Sequence, residues 1–220
     1  MSDLAGFAGS AAGPAVGSAA SSELESDAAR LPASSAARPT RTIQISNLVL
    51  FQAAWFAAIL SAANGLALWG SLFTAAVIGW HIAVSARPAT EARLVACVLA
   101  IGCVVEAFSL WQGHVVFTSG QPDPHLPPHW MIALWGLLAI ALNVTMRWLK
   151  GRWWLAAVLG AVAGPLSYAS GVRLGAAQFV DRTPALISLA IIWALAMPAL
   201  MWLSDRFDGV AVPARGGRHA

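Results

Sequence analysis

Glu106 is an acid set in a run apolar enough to cross a bilayer, thirteen residues past Arg93 and so about 20 Å along a helix from it. A carboxylate at that depth costs several kcal/mol unless it is neutralised or paired. Its helical neighbours Gly102, Cys103 and Ser109 are small or weakly polar, which turns this face toward other helices rather than toward lipid. Glu106 is then either a proton-accepting or cation-binding group or a structural acid hydrogen-bonded to another helix, and the spacing leaves both open. Tyr168 and Arg173 reach a comparable depth and complete a candidate outer polar site. An Arg173–Glu106 pair would make the acid structural. Arg173 turned out to the headgroups would leave Glu106 without a basic partner, and Tyr168 is the one residue at that depth suited to acid–base work with it. Gln52, His81 and Asn143 form a candidate inner polar site. Together they could build a pocket, although taken singly each is better explained as an interhelical hydrogen bond of about 1 kcal/mol.

The remaining reactive residues point to little chemistry. Cys97 and Cys103 are six residues apart, about 9 Å of helical rise, too far for a disulfide, and read as packing residues. His81 and His114 fall at opposite ends of their helices, which argues against a pair of haem ligands. His125 and His129 are four apart, but the surrounding prolines prevent the helix that would set them on one face. No metal site and no cofactor is expected. The phosphate-binding loop, the nucleophile elbow, the zinc-protease helix and the dinucleotide fingerprint are all missing. The net charge of +3 comes from 13 Lys and Arg scattered through short loops and tails, which disfavours a nucleic-acid partner.

The elements that must position these residues are helices. With 58% hydrophobic and only 10% charged residues, and a mean hydropathy of +0.68, the chain is too apolar for an ordinary soluble domain. The expectation is an all-α membrane protein, a bundle of six transmembrane helices. Thr42 to Ser85 holds no Asp, Glu, Lys or Arg, with a turn signal at Asn64-Gly65, giving helices over 43–63 and 67–86. A third, over 91–112, carries Glu106 as its deeply placed charge. Four prolines between Gly113 and His129 predict an irregular loop, followed by helices over 130–149, 153–172 and 184–203. Gly160, Gly164, Ser167 and Gly171 form a small-residue stripe on the fifth helix, which should make it central to the bundle. Residues 1–42, rich in Ala, Ser, Gly and Pro, read as a disordered tail or a mis-assigned start, residues 43–204 as the membrane domain, and residues 205–220 as a flexible tail.

Six spans put both termini on one side. The N-terminal tail, the 87–93 loop, the 147–152 turn and the C-terminal tail hold 3, 2, 3 and 3 Lys or Arg, whereas the opposite loops hold Arg173 and Arg182. The bias predicts cytoplasmic termini. Trp69, Trp111 and Trp130 then lie at outer ends and Trp148, Trp153, Trp154 and Trp202 at inner ends, as interfacial tryptophans should. Trp55, Trp80, Trp135 and Trp193 lie deeper, where packing between helices is favoured over lining a cavity.

Asn47-x-x-x-Phe51-Gln52-x-x-Trp55-Phe56, His81, the carboxylate of the third helix, Asn143-x-x-x-Arg147-Trp148-Leu149 and, most fully, Gly164-Pro165-Leu166-x-Tyr168-x-x-Gly171-x-Arg173-Leu174-Gly175 resemble the DUF2878 family of uncharacterised bacterial inner-membrane proteins over residues 47–205. The chain departs from it in having Glu106 where members often carry Asp. The resemblance implies no agreed activity, only an association with fatty-acid cyclopropanation or related lipid modification.

Besides the lipid bilayer itself, a small-molecule or lipid ligand is the expected partner, bound or moved through a site centred on Glu106. An integral membrane enzyme of lipid modification and a structural membrane subunit are the alternatives, so enzyme activity stays open, as do protein partners. Inverted transporter repeats are disfavoured, since Gly164-Pro165 and Pro198 interrupt the second half alone. A reporter fused at residue 120 should report the far side of the membrane, and a cytoplasmic signal would overturn the topology.

Overall fold

The computed structural model describes residues 39–211; the expected N-terminal tail up to residue 38 and the end of the C-terminal tail from 212 lie outside them. Among the described residues six α-helices run up and down: α1 (Arg41–Ala63), α2 (Ala67–Val84), α3 (Pro88–Gln112), α4 (His129–Leu142), α5 (Trp153–Arg173) and α6 (Arg182–Arg206). Five of them, all but α4, are long and apolar enough to cross a membrane. Thr40 caps α1, its hydroxyl accepting from the Ile43 N–H at 3.4 Å, so the helix begins two residues before the predicted start. The turn expected at Asn64-Gly65 is there, with Gly65 at φ 72°.

The fourth helix differs most from expectation. A single helix over 130–149 is broken at Asn143, and the chain turns before a short 3₁₀ helix at Arg147–Leu149. Propensity does not dictate the break. The Asn143 side chain is pulled sideways by partners on other elements, described below. At 14 residues α4 is about 21 Å long, yet it is the bundle's centre, lying against α1, α2, α3 and α6. Trp135, Leu137, Ile140 and Leu142 are all buried.

The central place predicted for α5 is therefore α4's. The small-residue stripe does permit close approach, but to α6: a Cβ on Gly160 would fall 2.2 Å from the Trp193 carbonyl oxygen, and one on Gly164 2.2 Å from the Trp193 ring. The α5–α6 pair packs as tightly as the α1–α2 hairpin, and α4 joins the two.

At one end a two-stranded antiparallel ribbon ties the α3–α4 loop to the α5–α6 loop. β1 (Val115–Phe117) pairs with β2 (Ala177–Phe179), with Val116 opposite Gln178. Ser119 and Thr118 fasten it further, donating to the Ala62 and Ala176 carbonyls at 2.6 and 2.9 Å. The prolines predict only a loop here, because strands of three residues, some sixty positions apart, leave no local pattern. At the opposite end α6 runs to Arg206, past the predicted limit, and Phe207–Ala211 folds back as a strap with Val210 and Ala211 buried.

Gly160→Leu should destabilise the bundle in detergent by about 1–3 kcal/mol through overpacking against α6. Gly79→Leu, where an added Cβ meets nothing within 4 Å, should leave the thermal midpoint unchanged. Equal midpoints for the two variants would contradict the α5–α6 contact.

Candidate functional site

Glu106 is wholly buried. One oxygen, Oε1, accepts from the Trp135 indole N–H of α4 at 2.8 Å and from the Tyr168 hydroxyl of α5 at 2.6 Å. Gly102, one turn earlier on α3, makes the first bond attainable, since a Cβ there would lie 2.3 Å from the Trp135 ring. The Trp135 ring stacks on Trp193 of α6, centroids 5.0 Å apart and planes at 14°, so the acid joins three other helices through two aromatic side chains and a stack. Oε2 and the Trp193 indole nitrogen are buried with no hydrogen-bond partner among the described residues. Arg173 is exposed and forms no ion pair with Glu106. Of the expected outer trio, Glu106 and Tyr168 are together and Arg173 is apart.

Trp135, Tyr168 and Trp193 present their other sides to a cleft of about 430 Å³ between α1 and α5, floored by α4 and α6. This lies within the roughly 300–1,000 Å³ usual for small-molecule sites. Gln52, Ala163, Leu166 and Ser167, all exposed, stand on its lining, so the opening faces sideways, out of the bundle. Trp55 lines it too. Three of the four deep tryptophans thus line a cavity, the less favoured of the two expectations for them, whereas Trp80 is not on this lining. Trp130, expected at an interface, is buried beneath the ribbon and donates to the Ser119 carbonyl at 2.9 Å.

The inner trio is not the open pocket its residue types allowed. His81 and Asn143 are buried and meet on Glu91, a residue the sequence reading passed over. Glu91 Oε1 accepts from Asn143 Nδ2 at 2.7 Å and from the Gly209 N–H at 2.8 Å, and Oε2 lies 3.2 Å from His81 Nε2. Asn47 Nδ2 reaches His81 Nδ1 at 3.4 Å and donates to the Ile140 carbonyl at 3.2 Å. With Asn47 donating, His81 accepts at Nδ1 and donates to Glu91 from Nε2. Gln52 is elsewhere, on the cleft. A signal for Glu91 did exist: Glu91, Leu94, Val95, Val98, Gly102, Glu106 and Ser109 fall on one helical face, all buried, and following the inward face of Glu106 back four turns leads to it.

The strap closes this network. Asn143 Nδ2 also donates to the Phe207 carbonyl at 2.9 Å, and the Arg87 N–H to the Gly209 carbonyl at 2.9 Å. A Cβ at Gly209 would lie 2.6 Å from the Arg87 carbonyl oxygen. Asp208 pairs with Arg147 at 2.7 Å and Lys150 at 3.0 Å, and the Arg87 guanidinium donates to its carbonyl. Burial pushes the Asp208 carboxyl up, but hydrogen bonds from Arg147, Lys150 and the Ala211 N–H outweigh it and hold the group below its ordinary 3.8.

Long apolar helices, a lateral aromatic cleft and a buried acid behind its wall define an all-helical protein of the kind that embeds in a membrane. The model of the protein family of unknown function DUF2878 matches residues 44–199, well over half of the chain, and the protein belongs to that family. No curated protein and no solved structure matches it.

Because Asp208 is depressed in the folded state, its contribution to stability is complete above the ordinary carboxylate value and is lost as pH falls through the lower folded one. Acid titration of the melting temperature should show a loss setting in below about pH 4 that Asp208→Asn removes. An identical acid profile in the variant would mean that the strap does not carry it.

Proposed function

We propose that this is a bacterial inner-membrane protein crossing the bilayer six times with both termini cytoplasmic, and that its cleft binds or moves a small or lipidic molecule entering sideways from the bilayer. The sixth span is α4: surrounded by other helices, it has no need of a full lipid-facing length, and the turn and 3₁₀ helix to Leu149 extend it. The orientation is supported by the sequence count of eleven Lys and Arg in the two tails, the 87–93 loop and the 147–152 turn against Arg173 and Arg182 in the opposite loops.

The observation that carries the ligand reading is Glu106 itself. A carboxylate kept inside a bundle is costly without a cation, Glu106 has none beside it among the described residues, and its two donors are side chains whose rings form the cleft wall. A ligand that moves either ring changes the environment of the acid, which couples occupancy of the cleft to its hydrogen bonding. The Tyr168–Glu106 contact of 2.6 Å favours a second reading, an integral enzyme of lipid modification with these two groups as its acid–base pair. A lipid precursor accumulating in cells that lack the protein would favour that reading over simple binding.

Glu106→Gln retains an acceptor for Trp135 and Tyr168, so the variant should fold and melt close to the wild type. The lipid-soluble material that co-purifies with it, measured by mass spectrometry, should fall about tenfold, equivalent to ~1.4 kcal/mol. A variant that fails to fold would instead make Glu106 structural, and an unchanged yield of bound material would remove it from the site.

A further inference from the structure

We infer that the cleft is divided into a head pocket and a tail channel, and that its ligand is a lipid with a planar, carbonyl-bearing ring and an apolar chain, of the prenylated quinone class. This deepens the lateral-binding reading above and rests on it.

The division follows from which residues line which half. Helical rise places Gln52 of α1 and Trp193 of α6 each about 16 Å from the start of its helix, near mid-height. From there to the ribbon the lining holds Trp55, Trp130, Trp135 and Tyr168 with Ser167 and Ser170, set among aliphatic side chains that include Ile59, Met131, Leu134 and Leu166. From there to the strap it holds Leu138, Met146, Leu159 and Met197, with Phe51 at the boundary. Six of the 22 lining residues are aromatic, against 9% of the chain; four of the six belong to the ribbon half, Trp193 and Phe51 stand at the boundary, and none belongs to the strap half. A saturated chain has no use for that segregation, because Leu and Met fill space around methylenes as well as indoles do. A flat conjugated ring gains from it, since offset stacking and edge contacts with aromatic side chains add about 0.5–1.5 kcal/mol each beyond area burial.

The polar groups agree with the aromatic ones. Gln52 is exposed at the midpoint of a membrane-type helix, a costly place for a carboxamide facing hydrocarbon. It stands on the cleft lining, with Ser167 on the α5 side. A carboxamide N–H and a hydroxyl at the mouth of an aromatic pocket are donors for carbonyl oxygens, which a quinone ring carries and a hydrocarbon chain does not. The ring would then lie among the tryptophans, its carbonyls toward Gln52 and Ser167, and the chain would run past Leu138 and Leu159 toward Met146.

The test uses the full chain in nanodiscs of saturated phosphatidylcholine, titrated calorimetrically with a decyl-substituted benzoquinone and, separately, with a saturated fatty acid of similar length. The quinone should bind at least tenfold more tightly. Gln52→Leu, at an exposed position that folding does not need, should weaken the quinone at least fivefold and leave the fatty acid unchanged. Trp193→Leu should weaken the quinone more than the fatty acid. Equal affinity for both ligands, or quinone affinity indifferent to Gln52→Leu, overturns the ring assignment and leaves lateral lipid binding standing. Binding of neither ligand overturns both.

Discussion

A carboxylate enclosed by apolar helices must be given hydrogen-bond donors by its neighbours, and helix α3 imposes that requirement twice. Glu91 and Glu106 lie on the same buried face, fifteen residues and about 22 Å apart. Neither is satisfied by its own helix. Glu91 draws donors from α2, from the end of α4 and from the strap, whereas Glu106 draws them from α4 and α5. Between them the two acids touch four of the other elements of the bundle. In a medium without water, where unsatisfied polar groups cost several kcal/mol, this directional demand selects one arrangement of helices whose apolar surfaces would pack in many.

The two acids solve the problem differently. Glu91 has three close partners and a strap drawn over it, the pattern of a closed structural network. Glu106 has both of its bonds on a single oxygen and, among the described residues, no partner on the other. Its donors are shared with the wall of a cleft, so the same side chains that satisfy the acid also shape the cavity. Glycine makes that sharing feasible. Gly102 admits Trp135 to α3, while Gly160 and Gly164 admit Trp193 to α5; larger residues at these points would separate the stacked indoles from their partners. The cleft itself follows from the same placements, because α5 is drawn to α6 rather than to α1 and the space between α1 and α5 is left open to the side.

Much of the helical order was legible beforehand. Charge-free runs and the Asn64-Gly65 turn located five long helices to within a few residues, because burying that many apolar side chains in hydrocarbon leaves a signal in composition alone. The inward face of Glu106 was legible from the small residues beside it, and its juxtaposition with Tyr168 from depth. What was not legible depended on partners remote in sequence: the ribbon, the break in α4 at Asn143, the strap, and the company kept by Gln52 and Arg173. Depth along a helix ranks residues by height but does not say which way around the bundle they face, and so Gln52 was grouped with His81 and Asn143 although it lies on the cleft.

By itself, then, the amino-acid sequence determined that this chain is an apolar helical bundle, where its long helices lie, and that an acid sits deep within one of them. The physical reason is that hydrophobic length and charge exclusion are local properties, written in consecutive residues. Only the tertiary structure decided which donors reach that acid, that Glu91 is its buried counterpart, that α4 rather than α5 is the centre, and that three of the four deep tryptophans line a cavity. Those outcomes are set by the directions of hydrogen bonds and by close contacts at glycine between helices, and such contacts exist only once the helices have met.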